Sequence, residues 1–151
     1  MGIFQSFDVS ASGLTAQRLR MDVISENLAN VNTTRKVQGD SGSGPYRRKV
    51  AVFESREPEK KFSEILDSKV SQQNLGQGVR VVRIAETAEP LKMVYNPGHP
   101  DANADGYVQM PNVNVVTEMV DMISATRAYE ANVTALRSTK DMLLKALEIG
   151  R

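Results

Sequence analysis

The line Val115, Met119, Met122, Thr126, Tyr129, Val133, Leu136, Lys140, Leu143, Leu147 advances by alternate steps of four and three. All but Thr126 and Lys140 are apolar, and that period of 3.5 lets one helix lie along another. A flanking stripe of Val116, Val120, Ile123 and Leu144 widens the face beyond what a two-stranded zipper uses. At helical rise the line is about 50 Å long. A compact domain of 151 residues cannot easily cover such a face, so the carboxyl-terminal helix requires a partner.

The matching face lies at the other end of the chain. From Ile3 the same alternation runs through Phe7, Ser10, Leu14, Gln17, Met21, Ile24, Leu28 and Val31, broadened by Val9, Ala11, Ala16, Leu19, Val23 and Ala29. Arg18, Arg20, Asp22 and Glu26 fall off the line. Its length is about 43 Å at helical rise. Two such seams can pair as a coiled coil, within one subunit or between subunits. Ser10, Gly13 and Gln17 weaken the first half of the amino-terminal helix, a glycine costing about 1 kcal/mol against alanine. That half is expected to order only on docking.

These periodicities divide the chain into a coiled-coil helix over 1–32, a flexible linker over 33–45, a small β-containing middle over 46–110 and a second coiled-coil helix over 111–151. The expected fold class is mainly α, with two long terminal helices forming a coiled coil and a small central antiparallel β region. The alternating asparagines of Asn27-Leu28-Ala29-Asn30-Val31-Asn32 are poor helix-interior residues and suit an exit turn. Gly39, Asp40, Ser41, Gly42, Ser43 and Gly44 cannot build a core. No Gly-Lys-Ser/Thr follows them, so they are not a phosphate cradle. Tyr46 to Phe53, Val79 to Ala85 and Leu91 to Tyr95 alternate as strands of one small sheet. Ser55 to Val70 fits a short amphipathic helix with Pro58 in its first turn. Asn114 caps the last helix, Glu118 favours its amino end and Gly150 closes it.

Composition closes off several functions. Lys plus Arg number 19 against 18 for Asp plus Glu, so no excess charge selects nucleic acid or an anionic surface. There is no cysteine, hence no disulfide, zinc-thiolate site or thiol nucleophile. Four Tyr, four Phe and no Trp suit burial through helix contacts rather than a large core. No run of 18 apolar residues occurs, so membrane insertion is not expected, and the amino end lacks the basic-then-apolar pattern of a secretory leader. Met1-Gly2 followed by Ser6 formally fits a myristoylation signal, but a helix start explains it as well. Asn32-Thr33-Thr34 and Asn132-Val133-Thr134 match a glycosylation triplet that is common by chance. Arg47-Arg48-Lys49 lacks stacking aromatics and reads as a solvated strand edge. His99 is the only histidine, a surface turn residue. Asp101, Asn103, Asp105 and Gly106 match half a calcium loop, yet Asn112 stands where a bidentate Glu belongs, so a structural turn is the better reading. Asp121 and Glu130 are expected at solvated helical positions, where nothing marks them as a catalytic pair. No cofactor, metal, catalytic residue or small-molecule substrate is expected.

The same residues carry a family likeness. Asn27-Leu28-Ala29-Asn30, closing a long amino-terminal helix, resembles the motif of the bacterial flagellar axial proteins of rod and hook. Pro45-Tyr46-Arg47, Val94-Tyr95-Asn96-Pro97-Gly98-His99-Pro100, Gly106 to Asn114 and Ala125 to Asn132 narrow the resemblance to the proximal rod of the basal body. Ser55 to Gln77 carries least of it. The resemblance implies a structural subunit, exported through the flagellar type III apparatus without a cleaved signal. It further implies helical assembly with its own copies and other rod proteins in the periplasm, forming the shaft that carries torque from motor to hook. The assembly interface expected from both seams is Phe7, Leu14, Met21, Ile24, Asn27, Leu28 and Asn30 with Met119, Met122, Tyr129, Val133, Leu136, Leu143 and Leu147. Gln17, Thr126 and Lys140 would fix register, and Met21, Met119 and Met122 would either adapt to unlike neighbours or simply fill a core. The rival readings are a coiled-coil adaptor forming a discrete oligomer and a hydrolase built on the middle segment.

Overall fold

The structure, a computed structural model, describes residues 3–36, 44–56 and 78–149. Helix α1 spans Ile3–Ala29 and helix α2 spans Val115–Ile149. Between them come strands β1 (Lys49–Ser55), β2 (Val79–Glu86), β3 (Lys92–Tyr95) and β4 (Tyr107–Met110). The helix expected over Ser55 to Val70 lies outside the described residues except for Ser55, which closes β1, and Arg56, whose N–H donates to the Gly78 carbonyl. The glycine-rich run up to Ser43 and the end at Gly150 also lie outside them.

The terminal helices lie side by side and antiparallel. Gly13 meets Asn132, Arg20 meets Asp121 and Asn27 meets Glu118, so partners fall in number along α2 as they rise along α1. The first half of α1 is helical, and α1 packs against α2 and β2. Gly13 is part of that docking. A Cβ there would sit 3.1 Å from the Asn132 side chain, tighter than ordinary packing.

The line of contact differs from the expected seam. Gly13, Ala16, Val23, Ile24 and Asn27 are buried on α1, and Glu118 and Ala125 on α2. Met122, Tyr129, Val133, Leu136 and Leu143 are half-buried, whereas Val115, Met119, Thr126, Lys140 and Leu147 are exposed. A line of period 3.5 drifts by about 20° per heptad around a straight helix of period 3.6. Small residues also decide the contact, because helix axes approach more closely where glycine and alanine face each other. The buried line therefore mixes Gly13, Ala16, Ala125 and the polar Asn27 and Glu118 with Val23 and Ile24, while Val115, Met119 and Leu147 are left outside.

The strands form two separate two-stranded sheets instead of one. β1 and β2 pair antiparallel from Lys49↔Glu86 to Ser55↔Val79, with Val82 as the extra residue of a bulge. β3 does not extend this sheet; at the start of β1 the Lys49 N and O are bonded to Asn27 of α1. β3 and β4 pair as their own hairpin, Lys92↔Met110 to Tyr95↔Tyr107. The turn between them carries His99, Asp101, Asn103 and Asp105. Its backbone bonds run from Asn96 N to Gly106 O and from Gly106 N to Asn103 O. Gly106 takes φ +79°, with Tyr95 packed where a Cβ would point, so this position requires glycine.

Candidate functional site

The most completely connected part of the molecule is a buried polar junction where α1, the start of β1 and the first turn of α2 converge. Asn27 is 1 % exposed and Glu118 0 %. The Asn27 amide makes all four hydrogen bonds open to it. Its Nδ2 donates to the Lys49 carbonyl (2.9 Å) and to Glu118 Oε2 (3.0 Å). Its Oδ1 accepts from the Tyr46 hydroxyl and from Lys49 N, both at 2.9 Å. Lys49 thus finds both its backbone partners on one side-chain amide, which stands in for a neighbouring strand and closes that edge of β1.

Glu118 is satisfied from both sides. Arg48 Nε donates to its Oε1 at 2.6 Å, a charge-assisted bond to a carboxylate that is itself fully buried. A buried carboxylate is tolerated only when paired in this way. Arg48 N donates to Asn112 Oδ1 at 2.9 Å, and Asn112 Nδ2 donates to the Glu89 carbonyl at 3.3 Å. Asp121 holds Arg20 at 3.0 Å and Arg48 at 3.4 Å. Lys49 pairs with Glu26, and its ammonium lies 5.7 Å from the centre of the Tyr46 ring. Burial, and then the negative charges of Glu26, Glu118 and Glu86, push the Tyr46 hydroxyl well above its ordinary pKa. It is held as a donor.

The exit of α1 continues from this junction. Asn30 Nδ2 donates to the Glu26 carbonyl, and Asn30 Oδ1 accepts from Thr33 Oγ1 at 3.1 Å. Tyr46 N then bonds to the Thr33 carbonyl, tying the end of the helix to the approach to β1. Beyond it, Asp101 in the β3–β4 turn accepts from Thr34 at 2.7 Å and pairs with Arg35. The Thr34 hydrogen bond first, and Arg35 second, hold the Asp101 carboxyl below the usual range despite some burial. Lys36 does the same for Glu86 from 2.7 Å.

Several sequence expectations change here. Asn27 is a buried junction residue inside the helix rather than part of an exit turn, a role that falls to Asn30. Arg48 and Lys49 are ion-paired inside the subunit, not a solvated edge. Asp121 is half-buried between two arginines, and Glu118 does more than favour a helix end. His99 accepts from Asp101 N at 3.1 Å within its turn. Of the expected interface residues, Ile24 and Asn27 are buried, while Phe7, Leu14, Met21, Leu28 and Asn30 are half-buried. Met119 and Leu147 are open on α2. Asn114 caps α2 as expected, accepting from Val116 N at 3.1 Å. The Arg48–Glu118–Asn112 part of the junction was not foreseen. Its one visible signal is a carboxylate on the same helical face as Ala125 and Leu136, spaced to lie against another helix.

Every donor and acceptor at the centre of the junction is engaged within the chain, so it joins elements and leaves no group free for substrate. A cleft of about 270 Å³ opens beside it, lined by Val23, Ile24, Phe53, Arg20 and Asp121 among others. Among the described residues no group of three or more His, Cys, Asp or Glu could hold a metal. No described helix is long and apolar enough to cross a membrane.

A paired-helix module of this kind, closed by a polar lock and open along one apolar helix face, defines a structural assembly protein. Residues 7–35 match the family model of flagella basal body rod proteins, and residues 104–149 match that of the carboxyl-terminal part of the flagellar basal-body rod FlgEFG proteins. The flagellar basal-body rod protein FlgC of Bacillus subtilis is 55 % identical over the whole of both chains. That of Borreliella burgdorferi is 49 % identical over 99 % of this chain and 98 % of its own, and that of Salmonella typhimurium 41 % identical over both full lengths. The chain belongs to the flagellar basal-body rod protein FlgC family, which is structural and not enzymatic.

Proposed function

We propose that the chain is a subunit of the proximal rod of the flagellar basal body, assembling helically with its own copies and with other rod proteins to form the shaft that carries torque from motor to hook. The observation that carries this reading is the unpaired apolar face of α2, left open after α1 has docked. Contacts that are not self-complementary add subunits without closing, and so build a tube. In this reading α1 and α2 supercoil with neighbouring helices. Phe7, Leu14, Met21, Leu28, Met119, Met122, Tyr129, Val133, Leu136, Leu143 and Leu147 supply apolar contact, each fully buried one contributing about 1.5–3 kcal/mol. Ile24, Asn27 and Asn30 hold the helix pair in the shape that neighbours meet. Delivery through the type III export apparatus without a cleaved leader belongs to the same reading, as does a periplasmic place in the basal body.

Replacing the chromosomal copy by Val120→Asp or Ile123→Asp, both on the open face, tests it. The expected result is loss of swarming and of rods in isolated basal bodies, with the protein still present in the cell. Normal swarming by both variants would reject this face as part of the assembly. The adaptor alternative predicts a discrete dimer or tetramer of the purified protein in sedimentation, which the rod reading does not.

A further inference from the structure

The face of α2 directly opposite its contact with α1 carries one continuous row, Val116, Val120, Ile123, Arg127 and Glu130, spaced four, three, four and three. At 100° per residue these lie within about 40° of one another's mean direction, on the far side of the helix from Ala125. Val116, Val120 and Ile123 are 69 %, 61 % and 60 % exposed. Three β-branched residues in the open on one helix face form a sticky patch, while Arg127 and Glu130 pair with each other at 2.9 Å and with no other charged group among the described residues.

α1 has a matching row on its own outer side. Ala11, Thr15, Arg18, Asp22, Ser25 and Ala29 are all exposed, and lie opposite the buried Gly13, Ala16 and Ile24. Arg18 and Asp22 have no ion-pair partner among the described residues. We infer that the α2 row of one subunit receives the outer α1 row of a second copy of this chain, antiparallel, with Arg127 against Asp22 and Glu130 against Arg18. The register follows from the charges. Setting Arg127 on Asp22 brings Glu130, one turn on, to Arg18. It also brings Val120, seven residues back, to Ala29, and Ile123 to Ser25. Bulky apolar side chains then face small ones, and each charge faces its opposite. Running the helices parallel with Arg127 on Asp22 sets Glu130 against Ser25 and Arg18 against Ile123, one ion pair in place of two, and setting Arg127 on Arg18 puts like charges together. Charge order selects the register, and the apolar patch supplies the burial. Because the α2 row meets the α1 row and not itself, each subunit keeps one free row of each kind and the contact propagates.

This inference rests on the reading of the chain as a self-assembling subunit, and its test separates the two. The absence of cysteine allows single-cysteine variants without further change. Cells co-producing Ala29→Cys and Val120→Cys chains, both checked for swimming, are oxidised and their basal bodies isolated. A disulfide-linked dimer that needs both chains, and does not form with either alone, is the expected result. Basal bodies that contain the protein but yield no mixed dimer overturn the register while leaving the rod reading standing. Basal bodies that form normally without the protein overturn the rod reading itself. Charge exchange covers the case in which a cysteine variant cannot assemble. Asp22→Arg and Arg127→Asp are each expected to reduce swimming at least tenfold, and the two together to restore it to within twofold. Failure of the double variant to recover overturns the pairing.

Discussion

At the scale of the residue, Asn27 shows how one side chain can decide a fold locally. A carboxamide is both donor and acceptor twice over, and no other side chain of that size can satisfy Lys49 N, Lys49 O, Tyr46 and Glu118 together. Asn27→Ala leaves these groups without partners at a buried position. The expected cost is about 2–4 kcal/mol, more than a single lost bond, because each orphaned polar group carries its own desolvation penalty. Urea unfolding of the purified protein measures it. Tyr46 gives the same junction a pH dependence. Its folded-state pKa is raised, so its contribution to stability is complete below the ordinary tyrosine value near 10 and is lost as pH rises toward the folded value. Thermal melts between pH 8 and 11 should therefore show the wild type losing stability at the alkaline end more steeply than Tyr46→Phe. A Tyr46→Phe variant with the same alkaline slope would remove Tyr46 as its source. None of this partnering was visible in the chain read as a string. Asn27 and Asn30 look alike there, and only burial separates the amide inside the junction from the one that ends the helix.

Elements are where the sequence was most and least legible. Both long helices, the Asn114 cap and the turn around Asn103 and Gly106 follow from periodicity, capping chemistry and glycine conformation, which are local causes. Their pairing face does not. The eye follows Val, Leu and Met, whereas the closest contact is made by Gly13, Ala16 and Ala125, whose small size allows the approach and gives no signal in a hydrophobic pattern. The split into two sheets was equally hidden, because strand alternation marks a strand without naming its partner. How β2 is fastened to α1 yields a sharper test. Ser12 Oγ donates to the Val9 carbonyl at 2.7 Å and accepts from Val79 N at 3.0 Å. Gly78 precedes that strand at φ +82°, and a Cβ there would fall 2.2 Å from the same hydroxyl. Gly78→Ala thus meets a left-handed backbone and a steric conflict together. Destabilisation of about 1–3 kcal/mol is expected, with loss of amide protection beginning at Val79. Ser12→Ala on the Gly78→Ala background should recover part of it by clearing the contact, although Val79 N then lacks its acceptor.

On the scale of the whole molecule, two sets of apolar residues on α2 have separate duties, and substitutions can tell them apart. Leu136 lies on the face toward α1 and is half-buried, so part of its burial is already complete in the single subunit. Ile123 lies on the opposite face and is open, so in the proposed assembly its burial would come from a neighbour. A charge at Ile123 meets only water in the free protein. The expected change in unfolding free energy is within about 0.5 kcal/mol for Ile123→Asp, as for other exposed positions. The same change at Leu136 removes apolar contact and presses a carboxylate toward another helix, for an expected loss of about 2–3 kcal/mol. Both variants should nonetheless fail to build rods, the first through its outer surface alone and the second through a loosened helix pair as well. Urea denaturation of each protein, set beside swarming of the corresponding strain, separates the two effects. Equal destabilisation by both substitutions would mean that Ile123 is covered within the subunit, and normal swarming by Ile123→Asp would mean that nothing docks there.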